Sequence, residues 1–125
     1  MRSIRVLFIS GAIILLTSSA FAHPPSDIRI SYNESTKMLT AVIIHPVNDT
    51  KSHYIKRVEV SLNGQKIIEQ KISRQDNEND QGVSYFIPDA KPGDKISVEA
   101  YCSVSGKLIK EIKLKEPKQP DALSE

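Results

Sequence analysis

The chain has 125 residues, 17 basic against 15 acidic side chains, one cysteine and no tryptophan. Arg2 and Arg5 account for the whole basic excess, so the segment after residue 22 carries 15 charges of each sign, interleaved along its length. That balance excludes the concentrated positive patch a nucleic-acid backbone requires, and the length leaves room for one domain with a modest core.

Residues 1–22 read as a secretory signal. Arg2 and Arg5 make a basic start, Val6 to Leu16 an apolar run, and Ala20-Phe21-Ala22 places small residues at the cleavage-directing positions. The run falls well short of the roughly 20 apolar residues that span a bilayer. No cysteine near the cleavage point invites a lipid, so the expectation is a soluble protein of 103 residues, free of the membrane once cleaved, in a bacterial periplasm or outside the cell.

Short runs rich in Ile and Val then recur between Asn, Gly, Pro and Asp breaks, which predicts strands at about Ile28–Tyr32, Leu39–Ile44, Tyr54–Leu62, Lys66–Ile72, Val83–Ile87, Lys95–Ser103 and Lys107–Leu114. Alternation over Arg57 to Leu62 assigns Val58, Val60 and Leu62 to a core face. Asn63-Gly64 predicts a two-residue hairpin, because both residues tolerate positive φ. A second alternation puts Ile96, Val98, Ala100, Cys102 and Val104 on one face. Arg74 to Gln81 lacks apolar residues and is expected to be an exposed, mobile loop, Pro92-Gly93 is a tight turn, and residues 116–125 form a frayed tail. The class implied is all-β, an immunoglobulin-like β-sandwich of about seven strands spanning residues 23–115.

All the histidines and the one cysteine of the chain fall at informative places. His23 follows the cleavage point. His45-Pro46 ends an apolar strand, since proline cannot donate to a sheet, and His53-Tyr54-Ile55 opens the next strand, so the polar loop between them brings both imidazoles to one rim. Cys102 ends a late strand and points toward the core or its end. A lone cysteine in an oxidising compartment is buried, paired to another chain, or bound to something. Imidazole nitrogens and a thiolate that converge can hold iron, copper or zinc, which makes His23, His45, His53 and Cys102 the candidate metal ligands.

His45-Pro46, His53-Tyr54-Ile55 and Ala100-Tyr101-Cys102-Ser103-Val104-Ser105-Gly106 together resemble the iron-binding domain of superoxide reductases, the desulfoferrodoxin and neelaredoxin family. The resemblance spans nearly the whole domain and implies the same immunoglobulin-like sandwich. It also implies that His23, His45 and His53 match three equatorial histidines, that Cys102 matches the axial cysteine, and that an iron centre reduces superoxide to peroxide. Ser105 stands where the family has a fourth histidine, Ser103 replaces an asparagine, the loop between His45 and His53 is longer, and the usual Glu-Lys pair before the first histidine is absent. Cleavage after Ala22 would free the α-amine of His23, which could take the place left by Ser105; an amine–imidazole pair also favours Cu(II). Lys51, Lys56 and Lys107 are candidates for positive potential near such a centre, and Tyr54 and Tyr101 for shielding it.

Two alternatives stay open. His45-Pro46, His53 to Val60 and Asn63-Gly64-Gln65 also resemble the Z subunit of the periplasmic sulfur-oxidation carrier complex, which implies a non-enzymatic module binding a periplasmic protein partner. A copper carrier using His23 is the other. No phosphate-binding glycine loop, serine elbow or paired carboxylates suggest other chemistry.

Overall fold

The structure is a computed structural model that describes residues 23–118. The expected signal, residues 1–22, and the last part of the expected tail, residues 119–125, lie outside the described residues.

Seven strands form, and no helix is present among the described residues. They are β1 (Asp27–Asn33), β2 (Met38–Ile44), β3 (Ile55–Leu62), β4 (Gln65–Lys71), β5 (Asp80–Phe86), β6 (Lys95–Cys102) and β7 (Lys107–Lys113). All pairings are antiparallel, in a three-stranded sheet of order β1-β2-β5 and a four-stranded sheet of order β4-β3-β6-β7. The two sheets face each other as an immunoglobulin-like β-sandwich, with β4 hairpinned onto β3 instead of returning to the first sheet.

Alternation explains the layers. Ile28, Leu39, Ala41 and Ile43 of one sheet and Ile55, Val58, Val60, Ile96, Val98 and Ala100 of the other are fully buried and form the core between them. Leu62 is only half-buried, at the end of its strand. The hairpin at Asn63-Gly64 adopts the expected left-handed pair, with φ of 50° and 83°. The outer strands β4 and β7 are mostly exposed and rich in lysine, which discourages pairing with another chain.

Two expectations are corrected. Gln75 is 1% exposed and Gln81 5%, and β5 begins at Asp80, so the polar stretch from Arg74 is neither wholly exposed nor wholly loop. Its polar side chains are buried because they bond inward, Gln81 Oε1 accepting from Asp76 N and Gln75 binding His45. Val104 leaves the inner face of β6 and is 46% exposed, since that strand ends at Cys102.

No described helix is long and apolar enough to cross a membrane.

Candidate metal centre

One pole of the sandwich gathers the candidate ligands. His23 lies just before β1, His45 just after β2, His53 just before β3, and Cys102 is the last residue of β6. Antiparallel pairing of β3 with β6 places Ile55 opposite Cys102, with a register shift between Ile55 and Arg57. Past that pair, Tyr54 N donates to Ser103 Oγ at 3.0 Å and Ser103 N to Tyr54 O at 2.8 Å, extending the match toward His53. A bulge at this point turns the strand's start without breaking the sheet.

The donor atoms of His23, His45 and His53 lie within 4.8 Å of one another, and the three could hold a metal ion. The rings sit 4.7–5.0 Å apart between centroids, tilted or edge-on. Nitrogens sharing one ion stand about 3–4 Å apart, so closure needs only small side-chain adjustments. His45 is fully buried, whereas His23 and His53 are half-buried. Cys102, 2% exposed and unpaired, meets the cluster at His53, with Nε2 to Sγ at 3.1 Å. Val104 N also points at the sulfur, at 3.4 Å.

The tautomers follow from the neighbours. Gln75 spends its amide hydrogens on His45 O at 2.7 Å and Asn77 O at 2.9 Å, so its Oε1 can only accept, from His45 Nδ1 at 2.8 Å. Neutral His45 therefore keeps its Nε2 lone pair free. His23 behaves likewise, Nδ1 donating to Pro24 O at 3.1 Å. An imidazole whose far nitrogen is held by an oxygen acceptor is the usual preparation of a metal ligand. Burial, and then the neighbouring imidazoles of His45 and His23, hold the His53 pKa below its ordinary 6.5 and favour its neutral, ligating form.

Sequence reasoning missed Gln75. The segment before β1 is packed in place: Pro25 is buried, and a Cβ added to Gly106 would stand 2.9 Å from Pro24 Cβ. Two of the other expected neighbours, Tyr101 and Lys107, face away from the site. Tyr101 faces outward between the buried Ala100 and Cys102, donating to Glu59 Oε2 at 3.2 Å beneath the Arg57 guanidinium. Lys107 is paired with Glu99 at 2.8 Å on that same outer face, because its side chain alternates with the inward ones. Tyr54 is half-buried and reaches Ser103 through its backbone, while Lys51, Lys56 and Ser105 are exposed.

Beside the imidazoles opens a cavity of about 610 Å³ that touches His23 and His53. The acidic residues Asp49 and Glu78 are among those that line it, and no lysine or arginine is. The backbone N–H of Lys51 holds the Asp49 carboxyl below its usual range, so it is ionised at neutral pH.

No protein-family model matches this chain, and no curated protein matches it. The fold and the site thus define a class on geometry alone, a β-sandwich whose three histidines could bind a metal ion at one pole.

Proposed function

We propose that this protein is a periplasmic or secreted mononuclear metal-binding domain, in which His23, His45, His53 and Cys102 hold iron, and that it reduces superoxide to peroxide as the resemblance to superoxide reductases implies. The observation that carries this reading is the gathering of three imidazoles, one with its tautomer fixed by a buried amide, beside a buried free thiol.

Iron is preferred here on the resemblance, and the 3.1 Å approach of His53 Nε2 to Cys102 Sγ puts a soft sulfur donor beside the imidazoles. When bound, iron would supply the electron. Superoxide plus that electron and two protons gives hydrogen peroxide, and a one-electron reductant restores the centre. The chain's own contribution is to orient the imidazoles through Gln75 and Pro24 and to shelter the sulfur from water.

A second reading, a carrier of metal ions such as copper, is favoured by the cavity. The negative charge of Asp49 and Glu78 along it attracts a cation and opposes an anion.

Metal content and the visible spectrum of the purified protein, alongside Cys102→Ser, test both. Iron with a thiolate charge-transfer band that vanishes in Cys102→Ser, together with peroxide formed from superoxide, supports the first reading. Tightly held copper without turnover supports the second. A metal-free protein unable to take up any metal overturns both and leaves the partner-binding module.

A further inference from the structure

The candidate ligands are covered on several sides. His45 is fully buried and Cys102 is 2% exposed, Gln75 backs the His45 ring, and the segment carrying His23 is pinned by the buried Pro25 and by Pro24 against Gly106. His23 and His53 keep open surface, and both line the cavity of about 610 Å³, whereas His45 and Cys102 do not. An ion arriving from solution therefore meets the imidazoles from the cavity side.

Two segments wall that cavity, and main-chain bonds hold them together. Val47 N donates to Glu78 O at 2.7 Å and His45 N to Asn79 O at 2.9 Å, which ties the segment before β5 to the start of the loop between β2 and β3. His53 N donates to Asp49 O at 3.0 Å and folds that loop back on itself. Each segment brings one exposed acidic residue to the lining, Asp49 from the loop and Glu78 from the other side, and no lysine or arginine joins them. The segment that carries Glu78 also holds Asp76 and Asp80 against a single Arg74. Neither Asp49 nor Glu78 belongs to the set of converging imidazoles, so their charge acts along the approach and not as part of the ligand set.

We infer that this cavity is the route by which the metal ion enters and leaves, and that Asp49 and Glu78 set the rate of entry by drawing in the hydrated cation. The inference rests on the metal-binding reading above. An ion binds in two stages, a loose encounter with its water shell intact and then replacement of water by the ligands. Fixed negative charge along a protein-walled cleft raises the population of the encounter, and with it the on-rate. A divalent ion feels twice the pull of a univalent one, so the route favours entry of a divalent ion. Attraction of this long-range kind changes the on-rate and its salt dependence and leaves the off-rate nearly as it was.

Stopped-flow mixing of the purified protein with Co(II), whose visible bands report ligation, tests the route. Asp49→Asn keeps an oxygen that can accept from Lys51 N, at 2.9 Å in the native loop, and Glu78→Gln alters an exposed side chain, so the pair removes charge with little cost to the fold. In the double variant the on-rate should fall about 5–20-fold at an ionic strength of about 0.01 M and approach the wild-type value at about 1 M, as the Debye length shrinks from about 30 Å to about 3 Å. The off-rate, read by chasing with excess chelator, and the Co(II) spectrum should stay unchanged, the latter also showing an intact site. Glu34→Gln with Glu111→Gln removes the same net charge away from this pole and should bind at nearly the wild-type rate. An unchanged on-rate at low ionic strength, or an equal loss in the Glu34 and Glu111 control, would overturn the inference alone. So would a faster off-rate with altered Co(II) bands, which would make the two residues ligands. Absence of any cobalt, iron, zinc or copper binding would overturn the metal-binding reading itself, and the inference with it.

Discussion

Gln75 makes three hydrogen bonds with one buried side chain, and each ties a different group: the His45 ring, the His45 carbonyl and the Asn77 carbonyl. Its own backbone N–H adds a fourth link, to Thr50 O at 3.1 Å. Gln75→Leu keeps the volume and removes the bonding, leaving the Nδ1–H and two carbonyls to seek other partners. A loss of about 1–3 kcal/mol in unfolding free energy is expected for buried groups left unpaired. Metal affinity should fall about 10–100-fold, the usual cost of removing the partner that orients a ligating histidine. Denaturant titration and competition with a chromophoric chelator measure the two effects separately, and unchanged affinity in a folded variant would refute the positioning role. The sequence concealed this residue for a simple reason. A glutamine in a run of Asp, Asn and Glu looks solvated, and its burial depends on a histidine 30 positions earlier that only the folded chain brings near. Cys102 was easier to place, because strict alternation from Ile96 carries it inward.

Elements around the pole are joined by one close approach. The turn between β6 and β7 holds Gly106 at φ 88°, and its missing side chain leaves room for Pro24. Gly106→Ala would set a methyl group 2.9 Å from Pro24 Cβ and 3.1 Å from Pro24 Cα, besides forcing alanine into a left-handed conformation. The backbone effect alone costs roughly 1–2 kcal/mol. The clash should also push His23 from its place, so the variant is expected to bind metal more weakly by a larger factor than its loss of stability predicts for a distant site. Gly64→Ala is the matched control. It carries the same φ penalty at 83°, with nothing within 4 Å of the added methyl and no bearing on the site. Equal metal affinities in the two variants would show that the approach of Pro24 is incidental. The strands themselves were legible wherever apolar residues alternate, as in β3 and β6. The start of β5 was not, since Asp80-Gln81-Gly82 offers no apolar side chain and joins the sheet through backbone pairing with Val42, Ile43 and Ile44.

Across the whole molecule, the two sheets are linked at both open sides. Tyr85 of β5 donates to Gln70 Oε1 of β4 at 2.6 Å, and Lys110 of β7 reaches Asp27 of β1 at 2.9 Å. The second link is exposed and weak. The first has a consequence at high pH. Burial pushes the Tyr85 hydroxyl up from 10.0 to about 12, so between those values the folded protein holds a proton that the unfolded chain has released. Stability from this group is complete below pH 10 and is lost as the pH rises through 12. Tyr85→Phe should flatten that decline, as read from denaturation midpoints across the alkaline range; a slope equal to the wild type would assign the decline to other groups.

The candidate ligands are spread from residue 23 to residue 102, with two before the exposed Lys51 and two after it. An ion bound by all of them would act as a cross-link between distant parts of the chain, and its binding energy would count directly toward folding. Cutting the backbone at Lys51 would divide the donors evenly between two fragments. Such a nicked protein should stay together while its metal remains and fall apart faster when a chelator is added.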